Sequence, residues 1–168
     1  MSILEMVQTR PKDPPLKVLL YGPEGVGKSS FAAEFPDPIF IQTEDGLLHL
    51  DAPRLPLVKT WEGYCEQINA LYNDAHGYKT LVVDSADWLE RIMIRHLCET
   101  HDKETLKSFG WQVGDRLLAN LWDTKVLNGL DLLRHEKGMN IVLLAHAGSQ
   151  KVDDPRYEKY QRICQPRS

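Results

Sequence analysis

Apolar positions in this chain gather into short continuous runs, separated by stretches whose apolar residues recur at helical spacing. The runs "LKVLLYG" (16–22), "PIFIQTE" (38–44), "YKTLVVDSAD", whose apolar part ends at Asp84, and "MNIVLLAHAG" (139–148) read as strands. Between them, "KSSFAAEF" predicts a short helix stopped by Pro36. A second helix is expected over 61–75, with Thr60 as its cap, Glu62 in its first turn and Gly77 as its stop. A third starts at Ser85 and carries Trp88, Leu89, Ile92 and Leu97, and a long amphipathic stretch covers 115–135 with Gly138 near its end. Strands alternating with helices predict an α/β, three-layer architecture: a mostly parallel sheet with helices on both faces. "IVLLA" is apolar on both faces and belongs inside the sheet. After Gly148 the chain turns polar and shows no clear element signature.

Composition narrows the class. With 168 residues and 42% hydrophobic content, one globular core is expected. The organisation reads as a leader over 1–15, a core over 16–148 and a polar, basic segment over 149–168. A net charge of -4 argues against a domain that coats nucleic acid by bulk positive charge, though a local basic patch is compatible with it. Cys65, Cys98 and Cys164 are odd in number and far apart, which fits a reducing, cytoplasmic setting. No export signal and no membrane span are read from the sequence.

The chemistry starts at "YGPEGVGKSSF". Gly22, Gly27, Lys28 and Ser29 fill the pattern G-x-x-x-x-G-K-[ST], between a strand and a helix, where a phosphate-binding loop requires it. Glycines let backbone N–H groups curl around phosphate oxygens, and the helix start adds its positive end. The loop residues Gly22, Pro23, Glu24, Gly25, Val26, Gly27, Lys28, Ser29 and Ser30 are therefore the expected nucleotide contacts. Lys28 would reach the β- and γ-phosphates, and the Ser29 hydroxyl would ligate Mg²⁺. The competing reading is an ordinary glycine turn with a surface lysine.

Asp84, at the end of an interior strand, is the expected second Mg²⁺ ligand; an aspartate there is also a common helix cap. Glu44, at the end of the second strand, is the candidate base that orients or deprotonates a water, with Asp45 as a neighbour able to substitute. A solvated acidic loop is the alternative. His146, after "IVLLA", stands equally as a sensor of the terminal phosphate or as a histidine that satisfies a strand end.

These residues resemble a family, the phage-encoded RecA-like ATP-binding proteins of the AAA type, some linked to single-strand DNA annealing and recombination. The resemblance runs through "LLYGPEGVGKSSFAAEFPDPIFIQTEDGLLHLD", "VKTWEGYCEQI", "YKTLVVDSADWLE" and "GMNIVLLAHA". It implies a RecA-like P-loop NTPase core with the sensor strand between the strands bearing the glycine loop and Asp84. It also implies Glu44 as the water-activating residue, His146 at the sensor position though not of the usual residue type, ATP and ADP as ligands with Mg²⁺, and ATP hydrolysis. A host-cytoplasmic location and a homo-oligomer go with it. RecA-like proteins place a DNA-contacting loop after the sensor strand. Here Lys151, Arg156, Tyr157, Lys159, Tyr160 and Arg162 fall there, in a segment of net charge +2, which suits single-stranded DNA by phosphate contact and stacking. A solvated tail is the other reading. The first strand is expected at a sheet edge, covered by residues near Ile3 to Val7 or by a neighbouring subunit.

Rival classes are a nucleotide-switched assembly module with negligible hydrolysis and a small-molecule kinase, for which no lid segment is found. No N-K-x-D motif occurs, so adenine is preferred over guanine. His96, Cys98 and His101 spread over different helix faces and make a poor zinc set. Trp61, Trp88, Trp111 and Trp122 read as packing, only Trp111 lying outside a predicted helix.

Overall fold

The computed structural model describes residues 14–47, 50–152 and 161–166. Its sheet is built from β1 (Lys17–Gly22), β2 (Pro38–Gln42), β3 (Thr80–Asp84) and β4 (Asn140–Val152) in the order β1-β4-β3-β2, all parallel. Helices α1 (Lys28–Ala33), α2 (Trp61–Asn73), α3 (Ala86–Thr100), α4 (Val113–Leu121) and α5 (Asn128–Glu136) make the outer layers. This is the α/β P-loop NTPase fold. The central place of β4 follows from its sequence: Ile141, Val142 and Leu144 are fully buried and Leu143 and Ala145 nearly so. Only a strand with neighbours on both edges and helices on both faces hides all of them.

Alternation along the strands sorts the core into two layers. Ile39, Ile41, Leu81, Val83, Ile141 and Leu143 face α2, α3 and α5, packing on Trp61, Tyr64, Leu89, Met93, Leu130 and Leu133. Phe40, Val82, Val142 and Leu144 face the other way, onto Ala32 of α1 and Leu47. Truncating fully buried Phe40 to alanine would cost about 3–5 kcal/mol.

The edges differ. β1 is an edge strand, with Leu19 and Tyr21 half exposed; the residues expected to cover it, near Ile3 to Val7, lie outside the described residues. At the opposite edge, the chain after β2 doubles back: Phe40 N–H donates to Pro53 O at 2.9 Å, and Leu55 N–H to Phe40 O and Val58 N–H to Gln42 O at 2.8 Å. A parallel bridge of Phe40 with Arg54 marks this cover.

Several expectations need correction. The stretch 115–135 is not one regular helix. A π-helical segment, Trp122–Leu127, joins α4 to α5, and a 3₁₀ turn, Leu106–Phe109, precedes α4. The polar chain after Gly148 is not without elements: β4 continues to Val152 and pairs antiparallel with β5 (Gln161–Pro166). Backbone pairing makes this hairpin, so no apolar pattern announces it. Trp88 and Trp111 are exposed, unlike Trp61, which is buried, and Trp122, whose indole N–H donates to Glu90 at 3.1 Å.

Candidate functional site

At the carboxyl ends of the parallel strands, β1 runs through Gly22 into a loop whose Gly25 and Gly27 take φ of 74° and 94°. Those are left-handed values that an L side chain resists, so glycine is needed to wrap the backbone here. α1 begins directly at Lys28. The lysine is 8% exposed, and its ammonium donates to Gly22 O at 3.1 Å and Pro23 O at 2.9 Å. A positive charge is thus fixed at the centre of the loop.

Ser29 Oγ donates to Asp84 Oδ2 at 2.6 Å, across 55 residues of sequence. Burial raises the Asp84 carboxyl above its usual range, opposed by the Ser29 hydrogen bond, His146 and Lys28. Two hard oxygen donors meeting beside an ammonium suit a magnesium ion that takes its remaining ligands from phosphates and water. This donor set fits Mg²⁺ by its chemistry.

Around these groups lies a cleft of about 320 Å³. Glu24, Gly25, Gly27, Lys28, Ser29 and Ser30 form its loop wall, and Glu44, Gly46, Leu47, Asp84 and His146 close it. Gly22, Pro23 and Val26 stand apart from this wall. The first two supply carbonyls to Lys28, and Val26 is 62% exposed.

Glu44 sits two residues past β2, where its Oε1 accepts from Ser85 Oγ at 3.0 Å and lies 3.8 Å from His146 Nε2. Burial pushes its carboxyl up, and the Ser85 bond and His146 offset part of that. Asp45 lies outside the cleft wall and lines a neighbouring cleft of about 670 Å³ instead.

The sequence reading missed two features. Thr43 Oγ1 donates to Ser85 O and accepts from Ser85 N–H, both at 2.7 Å, which ties the end of β2 to the end of β3; the Asp84–Ser85 peptide is cis. Asp87, in the first turn of α3, accepts the backbone N–H of His146 at 3.0 Å and meets its Nδ1 at 3.2 and 3.0 Å. Burial works to raise the Asp87 carboxyl, but the His146 ring and backbone bonds outweigh it and hold the group below its usual range. An aspartate two places after a helix cap is a visible signal in the sequence, though it reads there as a favourable charge at a helix start.

The remaining site candidates fall elsewhere. Arg156, Tyr157, Lys159 and Tyr160 lie outside the described residues, as do the side chains of Lys151 and Arg162. His96 Nδ1 pairs with Glu62 at 3.2 Å, His101 Nδ1 meets Leu97 O at 2.9 Å and Cys98 is buried. Among the described residues, no cluster of three or more His, Cys, Asp or Glu is arranged to hold a metal. None of their helices is long and apolar enough to cross a membrane.

Comparison with curated proteins gives no match to this chain. A glycine loop at a strand-to-helix junction, a lysine at its centre and a serine bonded to the aspartate of a buried neighbouring strand are what a nucleotide-binding P-loop domain needs. The model of one such family, described as an AAA domain, matches residues 14–166, and this chain belongs to it.

Proposed function

We propose that the protein binds ATP with Mg²⁺ in the 320 Å³ cleft and hydrolyses it to ADP and phosphate, in the service of phage DNA recombination or single-strand annealing in the host cytoplasm. The observation that carries the reading is the 2.6 Å contact of Ser29 with Asp84 beside buried Lys28, with Glu44 lining the same cleft. In this reading Lys28 and the loop amides bind the phosphates, and Ser29 and Asp84 hold the metal. Magnesium would neutralise charge on the terminal phosphates. Glu44 orients and deprotonates the attacking water, its raised proton affinity bringing it closer to the working pH of a general base. His146 faces the terminal phosphate.

Residues 16–148 form the nucleotide unit, and 149–168 serve DNA through Lys151, Arg156, Tyr157, Lys159, Tyr160 and Arg162. A second surface, with three cations against the two carboxylates of Glu44 and Asp45, adds positive charge for a polyanionic partner. Lys59, Arg91 and Arg95 line the 670 Å³ cleft with Trp88, over whose ring the Arg91 guanidinium sits at 4.3 Å. Among the described residues, none of these cations has a carboxylate partner. Cations and an indole suit phosphate contact and base stacking.

Phosphate release by wild type, Lys28→Ala and Glu44→Gln tests the enzymatic reading. Wild type should turn over; Lys28→Ala should lose nucleotide binding; Glu44→Gln should bind and turn over at least a hundredfold more slowly. Wild-type release at background would reject hydrolysis. A nucleotide-switched assembly is favoured by the half-exposed apolar residues Leu19, Tyr21 and Phe31 at the β1 side of the sheet. Light scattering with and without ATP and Mg²⁺ separates that reading, which requires a change of mass.

A further inference from the structure

Asp87 does not line the 320 Å³ cleft, yet it controls a residue that does. Its carboxylate, 8% exposed, takes the His146 backbone N–H and brackets the ring Nδ1 with both oxygens. An ionised carboxylate only accepts, so the proton on this side of the ring belongs to Nδ1. Nε2 is thereby turned away from Asp87, toward Glu44 Oε1 at 3.8 Å. That separation is too long for a direct hydrogen bond. It leaves Nε2 and Glu44 side by side in the cleft wall, both able to address a third atom. Sheet register fixes where this happens: Gly22, the first glycine of the loop, pairs with His146, and Asp84 pairs with Leu144 two residues earlier on β4.

We infer that Asp87 is a positioning residue. Its carboxylate sets the ring orientation and tautomer of His146, and so presents the unprotonated Nε2, beside Glu44, as a second acceptor for the water that attacks the terminal phosphate of a nucleotide on the glycine loop. The inference rests on the nucleotide-hydrolysis reading. The backbone contact anchors the end of β4, and the two ring contacts fix the imidazole as well.

Asp87→Asn separates the two jobs. Its oxygen still accepts the His146 backbone N–H, while its amide donates to Nδ1 and forces the ring proton onto Nε2. Expected for Asp87→Asn are an unchanged far-UV spectrum, ATP affinity within about threefold of wild type, and kcat lower by tenfold or more, with Asp87→Ala similar and Asp87→Glu partly restored. Long-range ¹H–¹⁵N spectra, with the His146 ring assigned through His146→Gln, should show Nδ1 protonated in wild type and Nε2 protonated in Asp87→Asn. Adding a non-hydrolysable ATP analogue with Mg²⁺ should shift Nε2 in wild type and less in the variant. Identical ring spectra in wild type and Asp87→Asn, or a kcat within twofold of wild type, would overturn the inference. If wild type shows no turnover, the hydrolysis reading fails by itself. The analogue-induced Nε2 shift then decides the positioning role, and its absence in wild type refutes it.

Discussion

Replacing Thr43 by valine keeps the shape of a buried side chain and removes one oxygen. That oxygen is the stitch between β2 and β3: it donates to Ser85 O and accepts from Ser85 N–H at 2.7 Å each, with Thr43 5% and Ser85 0% exposed. Each lost bond is worth about 1 kcal/mol net, and the Ser85 N–H, left buried without a partner, carries a further penalty of about 1–3 kcal/mol, whereas Ser85 O keeps the Leu89 N–H at 3.0 Å. Relaxation will recover part of this, so a loss of about 3 kcal/mol is expected for Thr43→Val. Thr43→Ser is the control, since it keeps the oxygen and sheds one methyl group at about 1 kcal/mol. Urea denaturation followed by tryptophan fluorescence reads both. With a slope of about 2 kcal/mol/M, the valine variant should unfold roughly 1.5 M earlier than wild type, and the serine variant roughly 0.5 M earlier. If Thr43→Val were no less stable than Thr43→Ser, the stitch would contribute nothing beyond packing, and the account of how Glu44 and Asp84 are held together would fail.

Two glycines should respond in opposite directions. At Gly114 an added Cβ would sit 2.5 Å from Leu106 O, a backbone atom of the 3₁₀ turn, so Gly114→Ala should lower stability by about 1–3 kcal/mol despite the better helix former, read as an earlier urea midpoint. At Gly129 it would meet only Ile68 Cγ2 at 3.6 Å, so Gly129→Ala should raise stability by about 0.5–1 kcal/mol in the same assay. Burial raises Glu90 above the usual 4.5, with the Trp122 hydrogen bond opposing. The folded state therefore holds this proton more tightly than the unfolded one, and stability falls as pH rises from 4.5 through the raised value. Glu90→Gln should be more stable than wild type at pH 7 to 8, and denaturant midpoints should show the gain vanish as pH drops below 4.5. For the metal, Ser29→Ala and Asp84→Asn should each raise the Mg²⁺ concentration at half-maximal turnover by tenfold or more, and chelation with EDTA should abolish wild-type turnover; an unchanged metal requirement in both variants would remove them from the shell.

The strands were legible because their apolar runs are short, bounded and buried on one or both faces, and β4 announced its central place by being apolar throughout. The break in the long helix was less visible, although it has a physical trace. Leu118, Trp122, Val126 and Leu130 recur every four residues, a step wider than the 3.6 of an α-helix, so a straight helix would rotate them off the core. The wider turn of the π segment at Trp122–Leu127 absorbs that drift and keeps Val126 and Leu130 buried. The β4–β5 hairpin left no comparable trace, since main-chain bonds pair it and its side chains need no common period.

The site divides along the same line. The glycine loop is contiguous in sequence, so its chemistry could be read without a fold. Glu44, Asp84 and His146 were legible one step further, because each ends an apolar run and strand ends of a parallel sheet share one edge. The contacts that couple them were not, because each depends on strand order. Thr43 and Ser85 are 42 residues apart and meet only because β2 lies beside β3. Asp87 and His146 are 59 apart, and Asp87 has the same local sequence whether β4 lies next to β3 or at the far edge. In the second arrangement it would be a favourable charge at a helix start and nothing more. With β4 inserted between β1 and β3, the same carboxylate reaches the strand that carries His146 past the glycine loop. What Asp87 does is therefore decided by topology, and a residue whose local sequence marks only a charge at a helix start becomes one that positions His146 at the nucleotide cleft.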